Sequence, residues 1–398
     1  KRFKEERSDF FYPIDPTEMT ATIGGTVATN ASGARTYKYG ATREWITWIQ
    51  VILANGEIIE ISRGKHITTD GTFTIISSDG RKTEIPVPKY SYYPEGVKNA
   101  AGIFAKPSMD LIDLFIGSEG ILGAITEVEI RLARSPSTIS VIQFFLSEID
   151  ALEFVTDVRK KEHGFETEFL EFMDSKSLDL LRKVQEKDSK FIDMPEIPRS
   201  ARAAITFDID SDERSLLQNK EKLARLAKKH GTSIDLSWAG YEDREKARFK
   251  HFRHALPETV NNIISERKKL YPKIHKLGTD MAVPDEALIE MFQFYRDEIT
   301  KKGMEYVIFG HIGDNHAHVN ILPKNIDELE EAKKLYKIFA EKAVTLGGTV
   351  SAEHGIGKIK KEYLQIMYQK DIGKMLKVKK ALDPDLMINW GSLFDLEA

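Results

Sequence analysis

The sequence predicts an α+β fold, and three observations carry that reading. The first third holds two hairpin signals, the middle alternates strand-like runs with charged helices, and the last stretch is largely helical. At 398 residues, 41% of them hydrophobic, the chain can bury a sizeable core and divide into two or three domains. A net charge of −4 with no basic stripe excludes a nucleic-acid partner. No run of 18 apolar residues and no signal peptide occurs, so a soluble protein is expected, in the cytoplasm or peripheral to the membrane. The absence of cysteine removes disulfides, thiolate nucleophiles and thiolate-held iron–sulfur clusters. Any iron–sulfur relay must then sit on a partner.

Residues 1–9 are charged and read as a surface segment, whereas 10–16, Phe-Phe-Tyr-Pro-Ile-Asp-Pro, are too apolar for a free terminus. Residues 21–34 are small residues and glycines almost throughout. With no Cβ in the way, backbone amides there can approach a flat or phosphorylated ligand. Residues 45–53 and 57–62 flank Asn55-Gly56, the strongest short hairpin turn. A second hairpin is expected over 72–78 and 81–87, around Asp79-Gly80. Residues 110–115 suggest a helical turn, and 117–123 are again glycine-rich. A strand follows in which Thr126, Val128, Ile130 and Leu132 alternate with Glu127, Glu129 and Arg131, so one face is expected to be buried. No Gly-x-Gly-x-x-Gly opens a helix after a strand, and a Rossmann nicotinamide site is therefore not indicated.

From Ser135 the composition changes. Strands are expected over 140–146, 204–209 and 306–309, and helices over 149–163, 175–186, 212–230, 241–267 and 284–302. The last of these carries an apolar stripe of Leu288, Met291, Phe292, Tyr295 and Ile299. Lys and Glu runs on these helices read as solvated faces.

The chemical centre is residues 310–320, Gly-His-Ile-Gly-Asp-Asn-His-Ala-His-Val-Asn, which hold three of the ten histidines between two apolar runs. Turn formers Gly313, Asp314 and Asn315 signal a hairpin. With 313–316 as its loop, His311 and His318 become cross-strand partners with Cβ atoms roughly 4.5–5.5 Å apart. Two such imidazoles can share a metal ion, and a catalytic zinc usually takes three protein ligands. The glycine-rich segment 347–357 supplies Glu353 beside His354. His311, His318 and Glu353 are the candidate ligands, and His354 is the candidate base just outside the metal. Zinc, iron and manganese all suit such a set. The competing reading makes these histidines ordinary polar residues of a sheet edge and a loop.

Residues 24–40 with 117–132 resemble the second half of the FAD-binding (PCMH-type) domain of the vanillyl-alcohol-oxidase type flavoproteins. The histidine hairpin, the Ser-Ala-Glu-His-Gly loop at 351–355 and the C-terminal Leu382-Asp383-Pro384-Asp385 to Asn389-x-Gly391 match one branch of it in order. That branch contains the FAD-linked D-lactate, glycolate and D-2-hydroxyglutarate dehydrogenases, with D-lactate dehydrogenase the nearest likeness. The resemblance implies an FAD-binding part over 1–134, a ferredoxin-like cap over 135–326 and a helical segment over 327–398 returning to the FAD domain. It implies cofactor contacts from Gly24, Gly25, Thr29, Asn30, Ser32, Gly33, Gly117, Glu119, Gly120, Ile125 and Asn389. It also implies that Arg253 grips the substrate carboxylate, a task suited to a bidentate fork. Lys276 and Asp280 are further candidates to face the site. Relatives carry a first FAD subdomain ahead of this segment, expected here from a separate chain or from residues preceding those given. Two departures from the family pattern occur: Asn389-Trp390-Gly391-Ser392 replaces Asn-Pro-Gly-Lys, and Asp314-Asn315-His316 replaces Asp-Gly-Asn, which brings His316 forward as a further site candidate.

The expected reaction is oxidation of a D-2-hydroxy acid to the 2-oxo acid. A divalent metal would chelate the substrate and lower the pKa of its hydroxyl, His354 would take the hydroxyl proton, and hydride would pass to FAD. A neutral imidazole near pH 7 suits that base. The expected electron acceptor is an electron-transfer flavoprotein, an iron–sulfur subunit or a quinone. Two rival readings are a metal-dependent hydrolase and a non-catalytic subunit of a flavoprotein complex.

Overall fold

The computed structural model describes residues 9–15, 20–77, 80–187, 194–212 and 214–395. Apart from Asp9, the charged first segment lies outside the described residues, as do Pro16 and the turn residues Ser78 and Asp79. The chain divides into two units, Lys1–Ser135 with Ala343–Ala398, and Pro136–Lys342.

In the first unit the glycine-rich segment is not all loop. Ile23–Ala28 forms a short helix, α1, because Thr22 caps its start by accepting from the Gly25 amide and Thr29 Oγ1 donates to the Gly25 carbonyl. Strands β1 (Ile46–Ile52) and β2 (Ile58–Ser62) pair across the Asn55-Gly56 turn, where Gly56 adopts φ +83°. Strands β3 (Thr72–Ile76) and β4 (Lys82–Pro86) make the second hairpin. Helix α2 (Leu111–Phe115) is a single turn with Leu111, Ile112, Leu114 and Phe115 buried. Strand β5 (Ala124–Ile130) adds to the other edge of β1. The fully buried face expected for it is not found: Thr126 is exposed, Val128 and Ile130 are half-buried, and the strand stops before Leu132. Two register shifts against β1 break the two-residue alternation, and β5 is an edge strand.

The second unit is built on strands β6 (Thr138–Phe145), β7 (Thr167–Met173), β8 (Ala203–Asp210), β9 (Ser237–Gly240), β10 (Leu277–Gly278), β11 (Tyr306–Gly310) and β12 (His318–Ile321). They form one antiparallel sheet in the order β9-β6-β8-β7-β11-β12-β10. Its helices are α3 (Glu148–Arg159), α4 (Ser175–Gln185), α5 (Leu216–Lys229), α6 (Asp243–Lys268) and α7 (Leu288–Lys301). Every residue of β6 is buried. Helices cover both of its faces, so its polar residues Thr138, Ser140 and Gln143 are buried along with the apolar ones. Phe144 packs with Trp238 and the Phe252 cluster, while its neighbour Phe145 packs against Phe154 on α3. The expected stripe on α7 is buried at all five positions. Strand β7, which sequence patterning did not predict, lies at the centre of the sheet between β8 and β11. Its Glu168 and Glu171 are buried, which disguises an interior strand as a polar one. The chain re-enters the first unit within helix α8 (Ile326–Thr345) and continues through α9 (Lys361–Tyr368) and α10 (Ile372–Leu382).

Candidate functional site

Strands β11 and β12 do form a hairpin, but His318 pairs with Phe309, not with His311. The strand pairing ends earlier than expected because Ile312–Asp314 form a 3₁₀ turn and Asn315 takes a left-handed conformation, φ +50°. That lengthens the loop and places His311 just beyond β11. The two rings nonetheless converge, with centroids 5.7 Å apart in an edge-on arrangement, and His316 lies 4.3 Å from His318. Close approach is possible because residue 310 is glycine at φ +143°. A Cβ there would sit 2.9 Å from the His318 ring and 3.1 Å from its amide nitrogen. Asn315 pins the loop: Arg159 donates to its Oδ1, and its Nδ2 donates to Asp285 Oδ1 at 2.8 Å and to the Val283 carbonyl at 3.2 Å.

Polar groups stand behind all three rings, and for His318 the contact is a hydrogen bond. His318 Nδ1 is 2.7 Å from the Thr279 carbonyl, which can only accept, so Nδ1 carries the proton and Nε2 presents its lone pair. His311 Nδ1 is 3.2 Å from Glu171 Oε1. His316 Nε2 is 3.1 Å from Asp280 Oδ1, and both side chains are fully buried. Arg253 projects from α6 so that its Nε lies 3.4 Å from the other Glu171 oxygen and its guanidinium 5.1 Å from the centre of the Phe169 ring. Burial alone would push the Glu171 carboxyl up, but Arg253 and then His311 pull it below the usual carboxylate range. Lys276 is half-buried, and loss of water lowers the pKa of its ammonium. Thus His311, His316, His318, Asp280 and Arg253 are gathered in the second unit. Glu171 and Thr279, which join them, had no sequence signal of their own.

The candidate cofactor residues lie in the first unit. Gly117 donates from its amide to the Val27 carbonyl and Glu119 donates to Ala28, which ties the 117–120 turn to the end of α1. Asn30 (φ +49°) accepts the Arg43 amide on its Oδ1. Gly117 (φ +83°) abuts it, where a Cβ would come within 3.0 Å of the Asn30 Cβ. A Cβ would make only ordinary contacts at Gly24, with the Ile125 carbonyl oxygen at 3.8 Å, and at Gly120, with Asn389 Nδ2 at 3.9 Å. Gly25 is bound into the cap of α1, Thr29 closes its end, and Gly33 donates to Thr36 Oγ1 at 2.9 Å. Ser32 Oγ is buried with no hydrogen-bond partner among the described residues. Small residues, glycines that crowd no approaching group and the Ser32 hydroxyl fit a ligand that approaches the backbone, as a flavin nucleotide would.

Glu353 and His354 sit in the same unit, on a loop held by two carboxylate contacts. Glu119 accepts from the amides of Ile356 (2.7 Å) and Gly357 (2.6 Å), and its carboxyl is nonetheless pushed up by burial. Asn389, at φ +46°, donates to the Glu119 carbonyl at 2.7 Å. Lys98, which sequence reasoning missed, binds Glu353 Oε2 at 2.6 Å in a buried ion pair. The other Glu353 oxygen lies 3.5 Å from His354 Nε2. A carboxylate offers about four lone-pair sites, so the pairing with Lys98 leaves donor capacity for a metal. Among the described residues no helix is long and apolar enough to cross a membrane.

Residues 135–393 match the model for the C-terminal domain of FAD linked oxidases, and residues 6–62 match an FAD binding domain. The chain is 29% identical to the glycolate oxidase subunit GlcD of Bacillus subtilis, covering 99% of this chain and 72% of that protein. It is 28% identical to a D-lactate dehydrogenase of Anaerostipes hadrus (98% and 72%) and 26% identical to one of Archaeoglobus fulgidus (97% and 73%). A solved alkyldihydroxyacetonephosphate synthase superposes with a TM-score of 0.57 at 14% identity over 97% of this chain, which shows the fold alone. The chain spans 61% of that structure's length.

Proposed function

Since the chain belongs to the FAD-linked D-2-hydroxyacid dehydrogenase family, we propose that it oxidises a D-2-hydroxy acid, with D-lactate favoured, to the corresponding 2-oxo acid. The observation that carries the reading is the pair His311 and His318. His318 commits its Nδ1 to the Thr279 carbonyl, which leaves Nε2 as its ligand atom, and the Glu171 carboxylate lies 3.2 Å from Nδ1 of His311. Together with Glu353 they would hold a divalent metal, and the residues around α1 and the 117–120 turn would hold FAD. A bound divalent metal would supply Lewis acidity toward the substrate hydroxyl, and bound FAD would supply the acceptor for the hydride.

The chain's own residues do the rest. Arg253 grips the substrate carboxylate, fixing which face of Cα is presented. His354 accepts the hydroxyl proton on its ring. Glu119 and Lys98 keep the His354 loop in place through the Ile356 and Gly357 amides and the Glu353 carboxylate. These 398 residues contain no cysteine to hold an iron–sulfur cluster, and the proposed electron acceptor is an electron-transfer flavoprotein, an iron–sulfur subunit or a quinone. Steady-state turnover of D-lactate, glycolate and D-2-hydroxyglutarate with a dye acceptor tests the proposal. D-Lactate is expected to give the highest kcat/KM and L-lactate essentially none; equal turnover of both lactate enantiomers defeats it.

A further inference from the structure

We propose that Glu171 is a positioning residue that sets the metal-binding imidazole of His311 and the substrate-binding guanidinium of Arg253 with one buried carboxylate. The inference rests on the functional reading above and extends it to a residue on a different strand. Glu171 lies on β7, the central strand, paired with β8 on one side and β11 on the other, so its backbone cannot drift. Phe169 and Glu171 are two residues apart on β7 and both reach Arg253, one with its ring face and one with its carboxylate. The carboxylate divides its work. Oε1 faces His311 Nδ1 at 3.2 Å and Oε2 faces Arg253 Nε at 3.4 Å.

Both contacts have a chemical consequence. An acceptor-only group opposite Nδ1 selects the tautomer with Nε2 unprotonated, and its negative charge makes the imidazole a more basic ligand. Engagement at Nε fixes the guanidinium by its shaft side, whereas a bidentate grip on a substrate carboxylate can use the two terminal nitrogens. A purely structural role would be poorly served here. Replacing a buried charged network by well-packed apolar residues is often neutral or stabilising, so the fold alone does not call for a carboxylate at this position.

The test is Zn2+ and Mn2+ titration of the full chain and of the Glu171→Gln and Glu171→Asp variants, with substrate kinetics of the FAD-loaded proteins at saturating metal. A glutamine can accept from only one of its two terminal atoms, and an aspartate is one methylene short, so each variant loses at least one grip. Metal affinity is expected to fall by about 10–100-fold, with the KM for D-lactate raised several-fold at saturating metal and kcat less affected. Variants that bind both ions as tightly as the unmodified chain and keep its KM overturn the proposal. Nitrogen-15 shifts of the His311 ring in the unmodified chain give a readout independent of any variant's folding. Protonation at Nδ1 is expected; protonation at Nε2 overturns the assignment. An unmodified chain that binds neither ion defeats the metal reading itself, a different result from a metal-binding chain indifferent to Glu171.

Discussion

The two units build their sites from different parts of the polypeptide. Around α1 and the 117–120 turn, the backbone itself is shaped: Asn30, Gly117, Glu119, Gly120 and Asn389 have φ of +49°, +83°, +53°, +72° and +46°. In the second unit ordinary strands and a helix deliver side chains, and other side chains fix their orientation. A site made of backbone is sensitive to atoms added, and a site made of side chains to atoms removed.

The largest effect should come from removal in the second unit. His318→Ala deletes a proposed ligand whose Nδ1 is already committed to Thr279, and flavin reduction by D-lactate should fall on the order of 10³-fold, the several kcal/mol that a metal supplies. Thermal melting should change little. The reverse split is expected for Lys379→Ala in the first unit. Lys379 is 2% exposed and donates to Asp383, to the Ile121 carbonyl at 2.8 Å and to the Ile388 carbonyl at 2.6 Å, so removing it leaves the buried Asp383 carboxylate with backbone amides but no counter-charge, at a cost of about 3–5 kcal/mol. Denaturant unfolding of both variants checks whether catalysis and stability separate in this way.

Addition should matter most at Gly117. Gly117→Ala places a Cβ at φ +83° and 3.0 Å from the Asn30 Cβ, which should cost about 1–3 kcal/mol and loosen FAD, read by retention of the flavin on gel filtration. The smallest effect sharpens the comparison from the second unit. Asp174 caps α4 by accepting the Ser177 amide at 2.8 Å, yet it is fully buried and burial pushes its carboxyl up to about 6. Because the native state holds this proton above pH 4 while the unfolded chain has released it, stability falls as pH rises from about 4 to 6 and stays lower above. Asp174→Asn keeps a good cap without the charge. Urea unfolding at pH 7.5 should show a gain of on the order of 1–2 kcal/mol that vanishes near pH 4.

Which parts were legible in the sequence follows from the same contrast. The hairpin at Asn55-Gly56 and the α7 stripe are local patterns, and they stand where the sequence puts them. The histidine cluster is also local, eleven residues with three imidazoles. Its register was misjudged because a 3₁₀ turn and a left-handed Asn315 are set by the contacts of Asn315 with Arg159 and Asp285, far away in sequence. Strand β7 was missed because Glu168 and Glu171 mimic a wet surface. Lys98, Thr279 and Glu171 reach Glu353, His318 and His311 across 255, 39 and 140 positions. No local pattern marks a residue whose role is to hold another.

The most direct test of the proposed function is an anaerobic visible spectrum of the FAD-loaded protein, with any chain that co-purifies, before and after addition of D-lactate, for the unmodified chain and for His354→Ala. Bleaching of the flavin band in the unmodified protein, slowed about 10²–10⁴-fold in the variant, is the expected result for an imidazole acting as general base. A flavin band unmoved by D-lactate and other short 2-hydroxy acids, or a His354→Ala variant that bleaches at the normal rate, would contradict it.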